Sequence, residues 1–233
     1  WGPLLGVGRG ENRSAMEQGA GALDHALERL RARAMLEIHR LERERRAGIV
    51  ALGRPYHDDP GLNHGILRDL NHRGYPIFTA GSLPREPEFL ERLFGEEVTR
   101  GWIRGPFDIS DVWKNSFSAN SNQKLWAAKV VARHPNLVAL DLSSFRCGHD
   151  APILATVEAI LEAAATPYFT FHDIDENRPS GAIRLRVETI DYSLREYERR
   201  RLARPDSMRE TPDARRPAGR ADEVSDSRLV RVY

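Results

Sequence analysis

From Gly21 onward the apolar residues fall on one helical stripe. Leu23, Leu27, Leu30, Ala34, Ile38 and Leu41 are spaced by three or four, and Glu28, Arg29, Arg31, Arg33 and Glu37 take the other faces. That period predicts a long N-terminal helix over 21–47, lying against the domain that follows and ended by Gly48. Residues 1–20 are Gly-rich and aperiodic, and read as a linker or as a truncated upstream segment.

Beyond Ile49 the texture changes to short apolar runs alternating with helical periods. GIVALG (48–53), YPIFTA (75–80), NLVALDLSSF (136–145) and PYFTFHDI (167–174) read as strands. Helices are predicted over 60–74, 87–98, 118–135, 151–165 and 180–202, the first with Asp59 as its cap and Pro60 at its first position. Residues 99–117, rich in glycine and aromatic side chains, fit neither period and read as an irregular excursion. Strand and helix in alternation predict an α/β fold. The expected domain, over 48–202, is a Rossmann- or flavodoxin-like parallel sheet with helices on both faces. Residues 203–233 combine mixed charge with proline and few large apolar side chains, the composition of a disordered tail.

Composition narrows the function. With 35 basic and 34 acidic residues the formal charge is +1, which argues against a nucleic-acid or membrane-surface partner, since either needs clustered positive charge. No apolar run approaches the length of a membrane span. A single cysteine, Cys147, excludes an internal disulfide framework and fits a reducing, cytoplasmic setting; it also means that this chain cannot by itself supply four thiolates to a metal centre. The chain begins at Trp1 and shows no secretory or transit pattern, so a fragment of a longer protein is expected.

In a parallel sheet, ligands meet the edge where strands end and helices begin. Two such junctions are dense in reactive groups. The first, GRPYHDDPGLNHG (53–65), crowds Arg54, Tyr56, His57, Asp58, Asp59, Asn63 and His64 at the lip of the sheet. A helix N-terminus behind Asp59 would offer unpaired N–H groups to an anion, and Arg54 a cation. Alternatively, Asp59 simply caps, Tyr56 packs and the histidines are ordinary. The second, SSFRCGHDAP (143–152), sets Cys147 just before a predicted helix N-terminus, with Arg146 and His149 beside it and Asp150 as cap. These neighbours favour thiolate over thiol. A buried cysteine filling a βα turn is the other reading. A zinc site of His57, Asp58 and His64 has no established ligand spacing. Asp173, Asp175 and Glu176 form an acidic turn better read as solvated.

Three segments carry a resemblance. GRPYHDDPGLNHGI, NSFSANSNQKLWAAKVVARHPNLVALDLSSFRCGHDAP and TPYFTFHDIDENRPSGAIRLRVET resemble the C-terminal part of large fused activases grouped with the 2-hydroxyacyl-CoA dehydratase and benzoyl-CoA reductase activators, over about residues 20–202. Smaller relatives have histidine where this chain has Asn177, and glycine and proline where Arg146 and His149 stand; these departures resemble those of the large fused subgroup.

The resemblance implies an ATP-dependent electron-delivery system built on [4Fe–4S] clusters. ATP would act only through an upstream domain that this chain does not contain. Carried over residue by residue, Cys147 alone matches a cluster-ligand position. Other ligands would come from upstream cysteine-bearing segments or from a second copy in a homodimer. Arg54, Tyr56, His57, His64, Arg146 and His149 would line the adjoining cofactor cleft. The chemistry implied is low-potential electron transfer linked to acyl-CoA substrates, with the isolated chain inactive. The rival reading is a non-catalytic anion- or CoA-binding assembly module.

Overall fold

The computed structural model describes residues 2–115, 117–143, 148–171, 174 and 180–202. Its centre is a parallel sheet of β1 (Gly48–Ala51), β2 (Ile77–Thr79), β3 (Leu137–Leu142) and β4 (Tyr168–Phe171), in the order β2-β1-β3-β4. β1 and β3 are buried at every position, as expected of central strands covered on both faces. Val50 lies beside Phe78 on one side and Ala139 on the other, and Leu140 pairs with Phe169.

Among the described residues, six α-helices flank the sheet: α1 (Arg9–Glu44), α2 (Ile66–His72), α3 (Pro87–Thr99), α4 (Ala119–Arg133), α5 (Ala151–Ala163) and α6 (Ser180–Tyr197), the last running into a short π-helical turn. Strand alternation separates two cores. Val50, Leu52, Leu137 and Ala139 pack with Ile38 and Leu41 of α1, Phe94 of α3, Leu125 of α4 and Val157 of α5. Ile49, Val138, Leu140 and Phe171 pack with Leu70 of α2 and with Val187 and Leu194 of α6. The chain thus winds outward in both directions from β1 and β3. This is the flavodoxin-like order, in which the crevice between those two strands is the topological switch point. None of the helices among the described residues is long and apolar enough to cross a membrane.

The boundaries depart from the sequence reading in instructive ways. α1 begins at Arg9, inside the stretch expected to be a linker. Of its apolar stripe, Ala34, Ile38 and Leu41 are buried and Leu27 is half-buried near Gly81, whereas Leu23 and Leu30 are exposed, as is Met16 ahead of them. Gly48 does not end this helix. The chain turns at Arg45, whose left-handed backbone (φ 55°) lets Arg46 N–H reach the Leu41 carbonyl (3.0 Å), and Arg45 N–H that of Glu42 (3.3 Å). Gly48 belongs to β1, where a Cβ would lie 2.6 Å from a Leu41 methyl and 2.7 Å from the Phe78 ring. Its lack of a side chain lets α1 approach the sheet.

α2 is only seven residues long. Asp59 caps a turn rather than a helix, accepting from Gly61 N–H (2.8 Å) and Leu62 N–H (3.1 Å). Positive φ at His64 (52°) and Gly65 (74°) then delays the helix to Ile66. The tail expected to be disordered, 203–233, lies outside the described residues.

Candidate functional site

Both reactive loops reach the C-terminal edge of the sheet on either side of the switch point, one after β1 and one after β3. A buried ion pair joins them. Arg54 from the first loop sets its Nη2 2.7 Å and its Nε 2.8 Å from Asp150 Oδ1 of the second. Arg54 Nη2 also donates to Ser121 Oγ on α4 (3.3 Å), and that hydroxyl donates to the His149 carbonyl (3.1 Å). Ser143, directly after β3, donates from its Oγ to Asp150 Oδ2 (3.3 Å). Asp150 occupies the N-cap position of α5, as the sequence suggested, but its carboxylate makes no capping hydrogen bond and turns inward to these partners instead.

Below this pair lies a second. Lys124 Nζ of α4 is 2.6 Å from Asp141 Oδ1 and 3.8 Å from Asp150 Oδ2. Asp141 is the penultimate residue of β3 and is fully buried. Tyr168 donates to its other oxygen (3.2 Å). Burial, with the charge of Asp141 beside it, pushes the Tyr168 hydroxyl far above its ordinary pKa, so it remains a donor throughout the working pH range. Two buried cations therefore face two buried carboxylates. Arg54 offers no free charge to an anion, because Asp150 already neutralises it.

The remaining predicted residues divide between interior and rim. His57 is buried, and its Nδ1 accepts from Arg54 N–H (3.1 Å). Burial lowers its pKa, leaving the ring neutral at pH 7. Asn63 holds this turn by donating to the His57 carbonyl (2.9 Å) while accepting from Gly65 N–H (2.9 Å). Tyr56 is half exposed, edge-on to the His57 ring at 4.5 Å. His64 is half-buried and His149 exposed. Phe117, almost wholly exposed, stands 6.2 Å from the His149 ring. Arg146 and Cys147 lie outside the described residues, as do Asp173, Asp175, Glu176 and Asn177.

The helix N-terminus expected behind Asp59 is absent from that place, and the seven-residue α2 offers no equivalent. No group of three or more histidine, cysteine or acidic residues able to hold a metal occurs among the described residues, so His57, Asp58 and His64 do not assemble as a zinc site. A [4Fe–4S] cluster requires about four thiolates. This chain has one cysteine, so its own residues do not fit a complete cluster site.

Sequence reasoning missed Lys124, Asp141, Ser121, Ser143 and Tyr168. The signal was present for two of them. Lys124 interrupts the buried run of α4, and Asp141 is a charge within the otherwise apolar strand LVALDL. Neither is tolerated in such a place without a partner.

A family model described as the CoA enzyme activase uncharacterised domain (DUF2229) matches residues 2–83. That span takes in α1, β1, the Arg54-bearing loop, α2 and β2, and is similar to a domain associated with CoA enzyme activases. No curated protein and no solved structure matches the chain.

Proposed function

We propose that this chain is a ligand-presenting unit of a CoA-enzyme-activase-type system, whose task is to hold Cys147 and the surrounding rim as one side of a site completed by other polypeptide. The observation that carries this reading is the buried Arg54–Asp150 bridge at the switch point. It locks the loop after β1 to the loop after β3. Together with Ser143 and the His149 carbonyl it fixes the described residues on both flanks of the segment that carries Cys147. Among the described residues the two carboxylates buried in the crevice, Asp141 and Asp150, are both held in ion pairs, which suits positioning rather than catalysis.

In this reading Cys147 supplies a single thiolate to a [4Fe–4S] centre. The other ligands come from upstream segments or from a second copy, and ATP acts through an upstream domain. Tyr56, His64 and His149 form the described rim, with Arg146 in the segment between. The likeness of residues 2–83 to the activase-associated domain favours this setting.

The test uses the intact protein, purified without oxygen. Cys147→Ser is expected to lower bound iron and the cluster's EPR signal, and Asp150→Asn to lower both partially. Equal iron in wild type and Cys147→Ser overturns the proposal. The self-neutralised crevice also favours a second reading, an assembly module without redox role. That reading predicts an iron-free protein that CoA esters nevertheless protect against heat.

A further inference from the structure

Beside the crevice, the connection from β2 to α3 leaves the same C-terminal edge of the sheet, and two arginines come together around it. Arg31, half-buried on α1, donates from Nε to the Gly81 carbonyl at 3.4 Å. Gln123 of α4 reaches the same glycine: a Cβ on Gly81 would lie 3.5 Å from Gln123 Nε2 and 4.0 Å from a Leu27 methyl of α1. Arg85 follows on that connection. Its guanidinium stands 5.6 Å from the ring of Phe107, in the excursion between α3 and α4, and 5.7 Å from the ring of Trp126, one turn beyond Gln123 on α4. Trp126 Nε1 donates to the Pro106 carbonyl (3.0 Å) and so holds Phe107 in place.

Arginines that bridge elements elsewhere in the molecule meet carboxylates. Arg54 has Asp150, Arg73 has Asp191, Arg92 has Glu42 and Arg133 has Glu97. Arg31 and Arg85 form no ion pair among the described residues. Partial burial acts first against the Arg85 cation and the charge of Arg31 second, with no carboxylate among the described residues to oppose them. Like charges held together in this way cost stability unless a counter-charge joins them. Stacking on aromatic faces leaves the in-plane N–H groups of a guanidinium open, so Arg85 keeps its donors, and Arg31 keeps those beyond Nε.

Two neighbouring cations with open, planar donors match an oxyanion of equal and opposite charge. A carboxylate is satisfied by one guanidinium fork, whereas a phosphoryl group brings a charge of about −1.5 to −2 at pH 7 and accepts from several directions. We propose that Arg31 and Arg85, with the Gln123 amide beside them, bind a phosphoryl group, either free phosphate or the phosphate of a small organic ester. The site lies beyond β2, apart from the Cys147 rim, and the proposal does not depend on the reading above.

Titration of the protein with inorganic phosphate, glycerol 3-phosphate and acetate at constant ionic strength tests it, read by melting temperature and by tryptophan fluorescence, since Trp126 lies under Arg85. Saturable stabilisation by phosphate or its ester is expected at millimolar concentration, with acetate weaker by about tenfold, the loss of one charge-assisted contact. A tighter ester identifies an organic phosphate as the source, and an ester no tighter than phosphate identifies the free ion. Arg31→Gln and Arg85→Gln should each weaken phosphoryl binding by a similar factor. Arg85→Gln also gives up its stacking, so Arg31→Gln is the decisive variant. It loses one long hydrogen bond and relieves a repulsion, and in low-salt buffer free of phosphate it should melt no lower than wild type. The proposal is overturned if acetate matches phosphate, if neither phosphate nor its ester stabilises saturably at millimolar concentration, or if Arg31→Gln leaves the titration unchanged. A lower melting temperature of phosphate-free Arg31→Gln overturns it equally, because Arg31 then serves the fold and not a ligand.

Discussion

Helix α4 carries two buried lysines that are held in opposite ways. Lys124 turns to the sheet, where both it and Asp141 are sealed from water at 2% and 0% side-chain exposure. Lys129 turns to the excursion, where Asp111 grips it at 2.8 and 2.9 Å but remains 28% exposed. Attraction between charges strengthens as water is excluded, yet so does the cost of desolvating them. The inner pair is thus a commitment of the fold, since neither partner is tolerable alone. The outer pair is a tether whose acidic end still has water as an alternative partner. Burial lowers the pKa of Lys129, and Asp111 works against that shift.

Substitutions can break or sharpen this contrast. Asp141→Ala leaves Lys124 only Asp150, 3.8 Å away and already paired with Arg54, and should cost about 3–5 kcal/mol in urea denaturation, whereas Lys124→Met with Asp141→Leu should stay within about 2 kcal/mol of wild type. A loss below about 1 kcal/mol for Asp141→Ala would mean that Lys124 finds water and that the two lysines are alike. Next comes Asp150→Asn, which keeps shape but removes the charge facing Arg54. About 2–3 kcal/mol should be lost, together with faster amide exchange at residues 148–150. Asp111→Ala should cost only about 1–2 kcal/mol, because the Asp108 carbonyl still accepts from Lys129.

The smallest effect is that of pH. His57 and His134 are both buried with depressed pKa values, caused first by desolvation. In the unfolded chain they take up protons near pH 6.5, before the folded chain does. Their contribution is therefore complete above about pH 6.5 and is lost as pH falls from there to the depressed native values. Melting temperature measured from pH 8 to 5 should fall at the acid end, by less than Asp111→Ala produces at pH 7. Replacing His57 with Gln should flatten that slope.

Most of the fold was legible because its signals are local and periodic. Strand positions 48–51 and 137–142 and helix α3 follow directly from apolar runs and spacing. Where the reading slipped, a non-local contact decided the outcome. Gly48 looked like a helix stop, but its role is to make room for Leu41 and Phe78. The PGLNH stretch has helical composition, yet Asp59 and Asn63 each bond nearby backbone N–H groups and stabilise turns instead. At the site, the two loops could be located from sequence alone, since a parallel sheet places such loops at one edge. Their pairing could not. That Arg54 would meet Asp150, 96 positions away, depends on the strand order, which no local pattern encodes.

One geometric consequence concerns α1. From Arg9 to Ala26 the helix has no buried residue and extends ahead of the point where Leu27 and Arg31 approach Gly81, over about 26 Å at 1.5 Å per residue. Such a rod magnifies angle into distance: a tilt of about 10° at the anchor would swing the tip by about 4.5 Å. Spin labels at Gly10 and on α6 would register repacking around Ile38 and Leu41 that the sheet itself scarcely feels.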